Sequence, residues 1–229
     1  MLSAIELEAL RLSLVVASAA TLISLPLAIL VAWVLARFDF WGKSLLDGIV
    51  HMPLVLPPVV IGYLLLVTLG TKGPIGGLLD QWFGLRLIFS TRGAVVAAAV
   101  MSFPLMVRAI RLSLESVDRG LEAAARTLGS NRLDTFRSVT LPLMLPGIVS
   151  GAIVAFAAAL GEFGATITFV SNVAGETRTL PLAIYSATQS PGGDAVAARL
   201  VAIAFTLALA ALIFAEFAAR RVRRLLGPP

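Results

Sequence analysis

The sequence predicts an all-α membrane protein, a polytopic bundle of about five transmembrane helices. Three observations carry that reading. The 229-residue chain is 59% hydrophobic and only 14% charged, whereas a soluble domain is nearer half apolar and a quarter charged. Its mean hydropathy is +0.96. Its apolar residues fall in long runs, and a helix needs about 20 residues to cross a hydrocarbon core of about 30 Å. Helices are expected because lipid cannot satisfy a free backbone. The length holds one membrane domain, 1–229, with no room for a second folded domain.

The first span is expected near 11–36. Leu12 to Ala36 is free of charge over 25 residues, and Glu6 and Glu8 precede it where a secretory leader would be basic. It therefore reads as a retained span. The second lies near 48–70, with His51 as its one ionisable side chain and Pro53, Pro57 and Pro58 inside it. Prolines free carbonyls and bend helices, and freed backbone is tolerated where it lines a cavity. Pro57 and Pro58 are thus pore candidates, with a simple packing kink as the other reading. The third span lies near 92–112, with Arg108 at one end.

The fourth is set near 142–169. From Ser138 to Gly175, 38 residues, Glu162 is the sole charge. That is long for one span, and a split at Gly161–Gly164 would make six. The fifth lies near 196–219. With five spans, and the 120–142 loop inside, 12 of the 18 Lys and Arg residues lie inside and 6 outside. A split fourth span would move the four arginines at 220, 221, 223 and 224 outside, against the positive-inside rule. The expected topology is N-terminus out and C-terminus in. The net charge of +5 is then topogenic, and no nucleic-acid partner is called for. The basic tail is read as an anchor to anionic headgroups.

The outer segments carry structure of their own. Residues 70–87 are glycine-rich and then amphipathic, which suits a short interfacial helix. Residues 171–195 open polar, carry a short apolar run and close on a Pro-Gly-Gly turn.

The loop between the third and fourth spans, about 113–141, is unusually polar. Leu121 to Leu128 is a helix former, and Gly129 can end it at positive φ. Ser130 or Asn131 can cap a second short helix through about Val139. Leu141-Pro142 then opens the fourth span, with proline tolerated in the first turn. An ordinary positive-inside loop is the plainer reading of the same composition.

Glu162 lies deep in apolar sequence, where a charge costs about 3 kcal/mol on insertion scales and is functional by default. Such an acid faces protein or water rather than lipid. It reads as a residue near a gate or subunit interface, bonded to a hydroxyl or backbone N–H, or as a structural bond between helices. Gly147-x-x-x-Gly151 is a small-residue packing face. There are no cysteines and one histidine, so no metal site is expected. Gly42-Lys43-Ser44 imitates the end of a phosphate loop, but Arg37 stands where the motif needs glycine.

The loop pattern Ala124-Ala125-x-x-x-Gly129, nine residues, then Val139-Thr140-Leu141-Pro142 resembles the "EAA" loop of ABC-importer permeases. The family's glutamate stands six residues before the glycine; here Ala123 occupies that place and Glu122 lies one residue earlier. Residues 51–66, 97–115 and 161–185 look similar to permeases of molybdate importers. Gly161-Glu162-Phe163-Gly164-Ala165 is shared in kind with permeases for sulfate and tungstate. The resemblance implies a type I importer permease fold and a homodimer lining one pathway. It implies two cytoplasmic ATP-binding subunits gripping Glu122, Ala124, Ala125, Gly129, Leu141 and Pro142. It implies a periplasmic molybdate-binding protein meeting the outer loops, for which Glu176 and Arg178 are candidates. Glu162, Phe163 and Gly164 join the prolines as pore or gate candidates. No catalytic residue or cofactor is expected in this chain; ATP and Mg would sit on the partner ATPase.

Two other classes are open to this sequence. An intramembrane hydrolase could use Asp47 and His51, one helical turn apart, but no Gly-x-Ser-x-Gly setting marks a nucleophile. A proton-driven transporter working through Glu162 would want an internal repeat, and none stands out.

Overall fold

The computed structural model describes residues 3–225, apart from the side chains of 215, 219 and 222–225. The described residues fold as helices with no strand. α1 (Ala4–Arg37) is followed by α2 (Lys43–Val55), α3 (Pro58–Leu69) and α4 (Pro74–Phe83). α5 (Thr91–Glu115), α6 (Arg119–Thr127) and α7 (Arg132–Thr135) come next. A π-helical stretch, Phe136–Thr140, leads into α8 (Leu141–Leu160), and α9 (Gly164–Val170), α10 (Leu180–Thr188) and α11 (Asp194–Leu225) complete the chain.

Four of these helical runs are long and apolar enough to cross a membrane: Ala4–Arg37, Thr91–Glu115, Arg132–Leu160 and Asp194–Ala218. The fifth crossing expected from sequence, 48–70, is not one helix. It is the pair α2 and α3, bent by 115°. The cause is local. Pro57 and Pro58 offer no N–H, and the residue before a proline is pushed out of the helical region. Leu56 sits at φ −77°, ψ 145°.

The fourth span also needs correction. The helix expected over 142–169 stops at Leu160, and α9 restarts it for seven residues after a break at Gly161–Phe163. Seven residues rise about 10 Å, too little to cross. The split foreseen at Gly161–Gly164 therefore occurs without adding a sixth span. At its other end the span begins early. α7, the π stretch and α8 run on continuously, and the Leu141 N–H reaches back to the Phe136 carbonyl. Pro142 has no N–H for the carbonyl four residues before it, and the wider π turn makes room for its ring.

α5 is the central helix, packed between α1 and α8. Its contacts are made by small residues. Ala17 and Ala20 of α1 meet Ala94, Ala97 and Ala98 of α5 in one core cluster. Ala28, Ala32 and Leu35 meet Met106, Val107, Ile110 and Met144 in a second. The Gly147–Gly151 face does what its spacing suggests. A Cβ on Gly151 would stand 3.2 Å from both the Ala109 Cβ and the Met106 carbonyl oxygen, and one on Gly147 would collide with Ser113. Backbones approach this closely only where side chains are small.

The outer segments are tied down by polar contacts. Residues 70–87 hold α4, and 171–195 hold α10. The Leu180 N–H donates to Ser13 Oγ at 2.6 Å, fixing the first turn of α10 on α1. Glu6, 1% exposed, closes a capping box with Ser3 and pairs with Arg199 of α11 at 3.0 Å. In the basic tail, Arg220 pairs with Glu216 on its own helix. The Arg223 and Arg224 side chains lie outside the described residues.

Candidate functional site

The two broken helices meet. A Cβ on Gly164, the first residue of α9, would lie 2.6 Å from the Pro58 Cβ, the first residue of α3. One on Gly62 would lie 2.7 Å from the Ala165 carbonyl oxygen and from the Thr168 Cβ. The proline break and the Gly161–Phe163 break are thus stacked, with glycine at each crossing because nothing larger fits. Discontinuous backbone at membrane depth is tolerated where protein or a cavity surrounds it. Pro57, Pro58, Glu162, Phe163 and Gly164, five separate sequence candidates, belong to this one junction.

Glu162 acts within its own break. Its Oε1 accepts the Ala165 N–H at 2.7 Å, closing the first turn of α9. It bonds backbone N–H, one of the partners expected for it, and not a neighbouring helix. Phe163 turns the other way and packs on Tyr185 of α10, ring centroids 5.3 Å apart.

The loop candidates form a second site at the α1 C-terminal end. Asp118 caps α6 by accepting the Gly120 N–H at 2.7 Å. Gly129 stands at φ +93°, as its place after the helix requires. Asn131 then caps α7 through two N–H bonds of 2.9 Å. Leu121, Ala124 and Leu128 share one face of this helix-turn-helix, and all are exposed, Leu128 by 88%. They form an apolar stripe open to solvent at a polar loop.

The opposite face is anchored. Glu122 Oε1 accepts from Arg37 Nη2 and from Thr140 Oγ1, both at 2.7 Å. One carboxylate therefore joins α6 to the end of α1 and to the π stretch leading into α8. Sequence reasoning found Glu122 but placed it in a partner's grip. It missed Arg37 and Thr140, whose separations of 85 and 18 residues leave no local pattern. Leu141 and Pro142 lie behind the loop, half-buried at the start of α8.

Toward the same end lies a polar cluster. Asp47 pairs with Arg111 at 3.0 Å, His51 approaches Asp47 at 3.0 Å, and Arg111 pairs with Glu115 at 2.8 Å. The Asp47–His51 approach expected from sequence is real. Asp47 is committed to Arg111, and no described hydrogen bond joins a serine to His51. The cluster lacks a nucleophile-base pair.

At the other end, Glu176 is exposed and its carbonyl accepts from Thr91 Oγ1 at 2.7 Å. Arg178 is half-buried, its Nε donating to Asn172 at 2.9 Å. Of the two outer candidates, Glu176 keeps the freer side chain.

Stacked helix breaks among helices long and apolar enough to cross a membrane mark a multi-pass membrane protein. The chain belongs to the family of binding-protein-dependent transport system inner membrane components, whose pattern matches residues 24–224. It is 60% identical over 222 residues, 97% of each chain, to the molybdenum transport system permease protein ModB of Escherichia coli K12. Identity to the corresponding protein of Haemophilus influenzae is 57% over the same share. A probable sulfate transport system permease of Chlorella vulgaris is 34% identical over 90% of this chain and 78% of its own. The fold matches a chain of a bacterial ABC transporter for the acidic polysaccharide alginate, with a TM-score of 0.77 over 96% of this chain and 80% of that one, at 19% identity.

Proposed function

We propose that this chain is the permease subunit of an ATP-driven importer for molybdate, worked from outside itself through the 119–142 unit. The observation that carries the reading is the two-sided character of α6. One face is apolar and open, and the other is bolted by Glu122 to both α1 and the entrance of α8. A soluble ATPase covering Leu121, Ala124 and Leu128 would move two spans with one contact. α8 runs from that contact to the Gly161–Phe163 break, which touches the α3 break at Gly164. Motion at the loop therefore reaches the pathway through one helix and one glycine crossing.

The ATPase needs to favour one permease state by only a few kcal/mol to drive the alternation. ATP and Mg stay on that partner. A second copy of the chain would complete the pathway, and a periplasmic molybdate-binding protein would deliver to the loops around Glu176. The C-terminus is cytoplasmic in this arrangement, on the side holding most arginines. The higher identity to molybdenum permeases than to a sulfate permease favours molybdate.

The test is uptake of labelled molybdate by proteoliposomes carrying the permease, the ATPase and the binding protein. Uptake should require ATP and all three proteins, and excess sulfate should compete weakly. Uptake driven by a pH gradient alone, or strong sulfate competition, would overturn the mechanism or the substrate respectively. A C-terminal reporter active only in the cytoplasm checks the orientation.

A further inference from the structure

A cavity of about 590 Å³ lies between the C-terminal half of α1 and the α6–α7 unit. On α1 it is lined by the apolar Pro26, Ile29, Leu30 and Trp33. Toward the loop its lining carries Arg37, Arg126 and Arg132 against a single carboxylate, Glu122, with Leu133 and Phe136 among them. The Oε1 of that carboxylate already accepts from Arg37 Nη2 and Thr140 Oγ1. The Arg37 Nε is buried and has no hydrogen-bond partner. The Arg126 Nε meets only the Glu122 carbonyl oxygen, and no ion pair to Arg132 occurs among the described residues.

The dimensions are those of one leaflet. Pro26 and Arg37 are 11 residues apart, about 16 Å along a helix, and half of a hydrocarbon core is about 15 Å. Leu22, Ile23 and Leu27, the preceding turns of α1, are exposed as well, an apolar surface that suits a bilayer neighbour. An apolar wall one acyl chain long, beside three arginines that share one carboxylate, matches one chemistry.

We propose that this cavity binds one anionic phospholipid, its acyl chain along Trp33 and its phosphate at Arg37, Arg126 and Arg132. The lipid would join α1 to the loop unit beside the Glu122 bond and satisfy the stranded Arg37 Nε. Only the naming of the leaflet, the cytoplasmic one, rests on the importer reading.

The test uses the full chain with Trp41 and Trp82 replaced by Phe, so that Trp33 alone emits. It is placed in phosphatidylcholine vesicles with brominated phosphatidylglycerol or brominated phosphatidylcholine as quencher. Phosphatidylglycerol should quench Trp33 at a mole fraction lower by at least about fivefold, and in the R126Q/R132Q variant the preference should fall below about twofold. Unchanged quenching by brominated phosphatidylcholine in that variant confirms an intact cavity. Equal quenching by the two lipids in the parent chain overturns the proposal, with no variant needed. Relief of quenching by inorganic phosphate would make it a free-anion site, and loss of quenching on adding the ATPase would make it a protein contact; either result overturns the lipid. None of these readouts depends on transport, so uptake and lipid results fail separately.

Discussion

Two partly buried glutamates bond at the two ends of α8, and they are used in opposite ways. Glu162 closes a turn three residues long and bonds nothing beyond its own break. Glu122 holds together elements 85 and 18 residues away in sequence. A local cap shapes a backbone, whereas a long-range bridge can carry motion between bodies. The residue that stands out in sequence, the lone acid in apolar surroundings, is the local one. The residue that looks like an ordinary loop charge is the long-range one.

The contrast can be broken by experiment. The largest effect is expected for Glu122→Ala. Removing one partner of a nearly buried pair costs about 3–5 kcal/mol, here spread over two joints and left on Arg37. ATPase stimulation by the permease should drop by more than about tenfold on that scale, while the spans still insert. Glu122→Gln should recover part of the loss, since its amide oxygen still accepts from Thr140. Normal stimulation in Glu122→Ala would end the bridge reading.

Next in size is Gly164→Ala, which places a methyl 2.6 Å from the Pro58 Cβ. Overpacking of this kind costs about 1–3 kcal/mol. A lowered melting temperature together with slowed uptake is expected, and uptake at the parent rate would show that the two breaks move apart freely. Gly129→Val follows. Nothing lies within 4 Å of its Cβ, so the cost is backbone strain alone, about 1–2 kcal/mol at positive φ. Weaker assembly with the ATPase checks it, with Gly129→Asn milder because asparagine tolerates that region.

The smallest effects belong to Glu162. Loss of a cap in Glu162→Ala costs about 1 kcal/mol, and Glu162→Gln keeps an accepting oxygen. Uptake by Glu162→Gln should stay within about twofold of the parent if capping is the whole role. A tenfold loss in Glu162→Gln would restore the gate reading and erase the contrast drawn here.

Much of this was legible in the sequence. The helical class, the approximate number of crossings, the Gly129 turn, the Asn131 cap and the Gly147–Gly151 face each follow from short-range rules. The helix in 70–87 was legible as an amphipathic run, whereas 171–195 was legible only as a short apolar run before a turn, not as the helix α10. The bend at Pro57–Pro58 was legible as a kink but not as 115°, since proline breaks a helix without setting the new direction. The fourth span was misjudged at both ends. The π turn that absorbs Pro142 and the stop at Leu160 depend on what packs around them. The Glu6–Arg199 and Glu122–Arg37 pairs were invisible, because either partner alone looks like a surface charge near a span end.

By itself, then, the sequence determined the helical class, the approximate number of crossings and where the backbone turns at Gly129. These follow from hydropathy and backbone sterics, which act over a few residues. Only the tertiary structure decided that the two breaks stack at Gly164 and Pro58, and that Glu122 faces inward to Arg37 and Thr140. Such contacts depend on distances between residues far apart in the chain, and those distances exist only once the helices have packed.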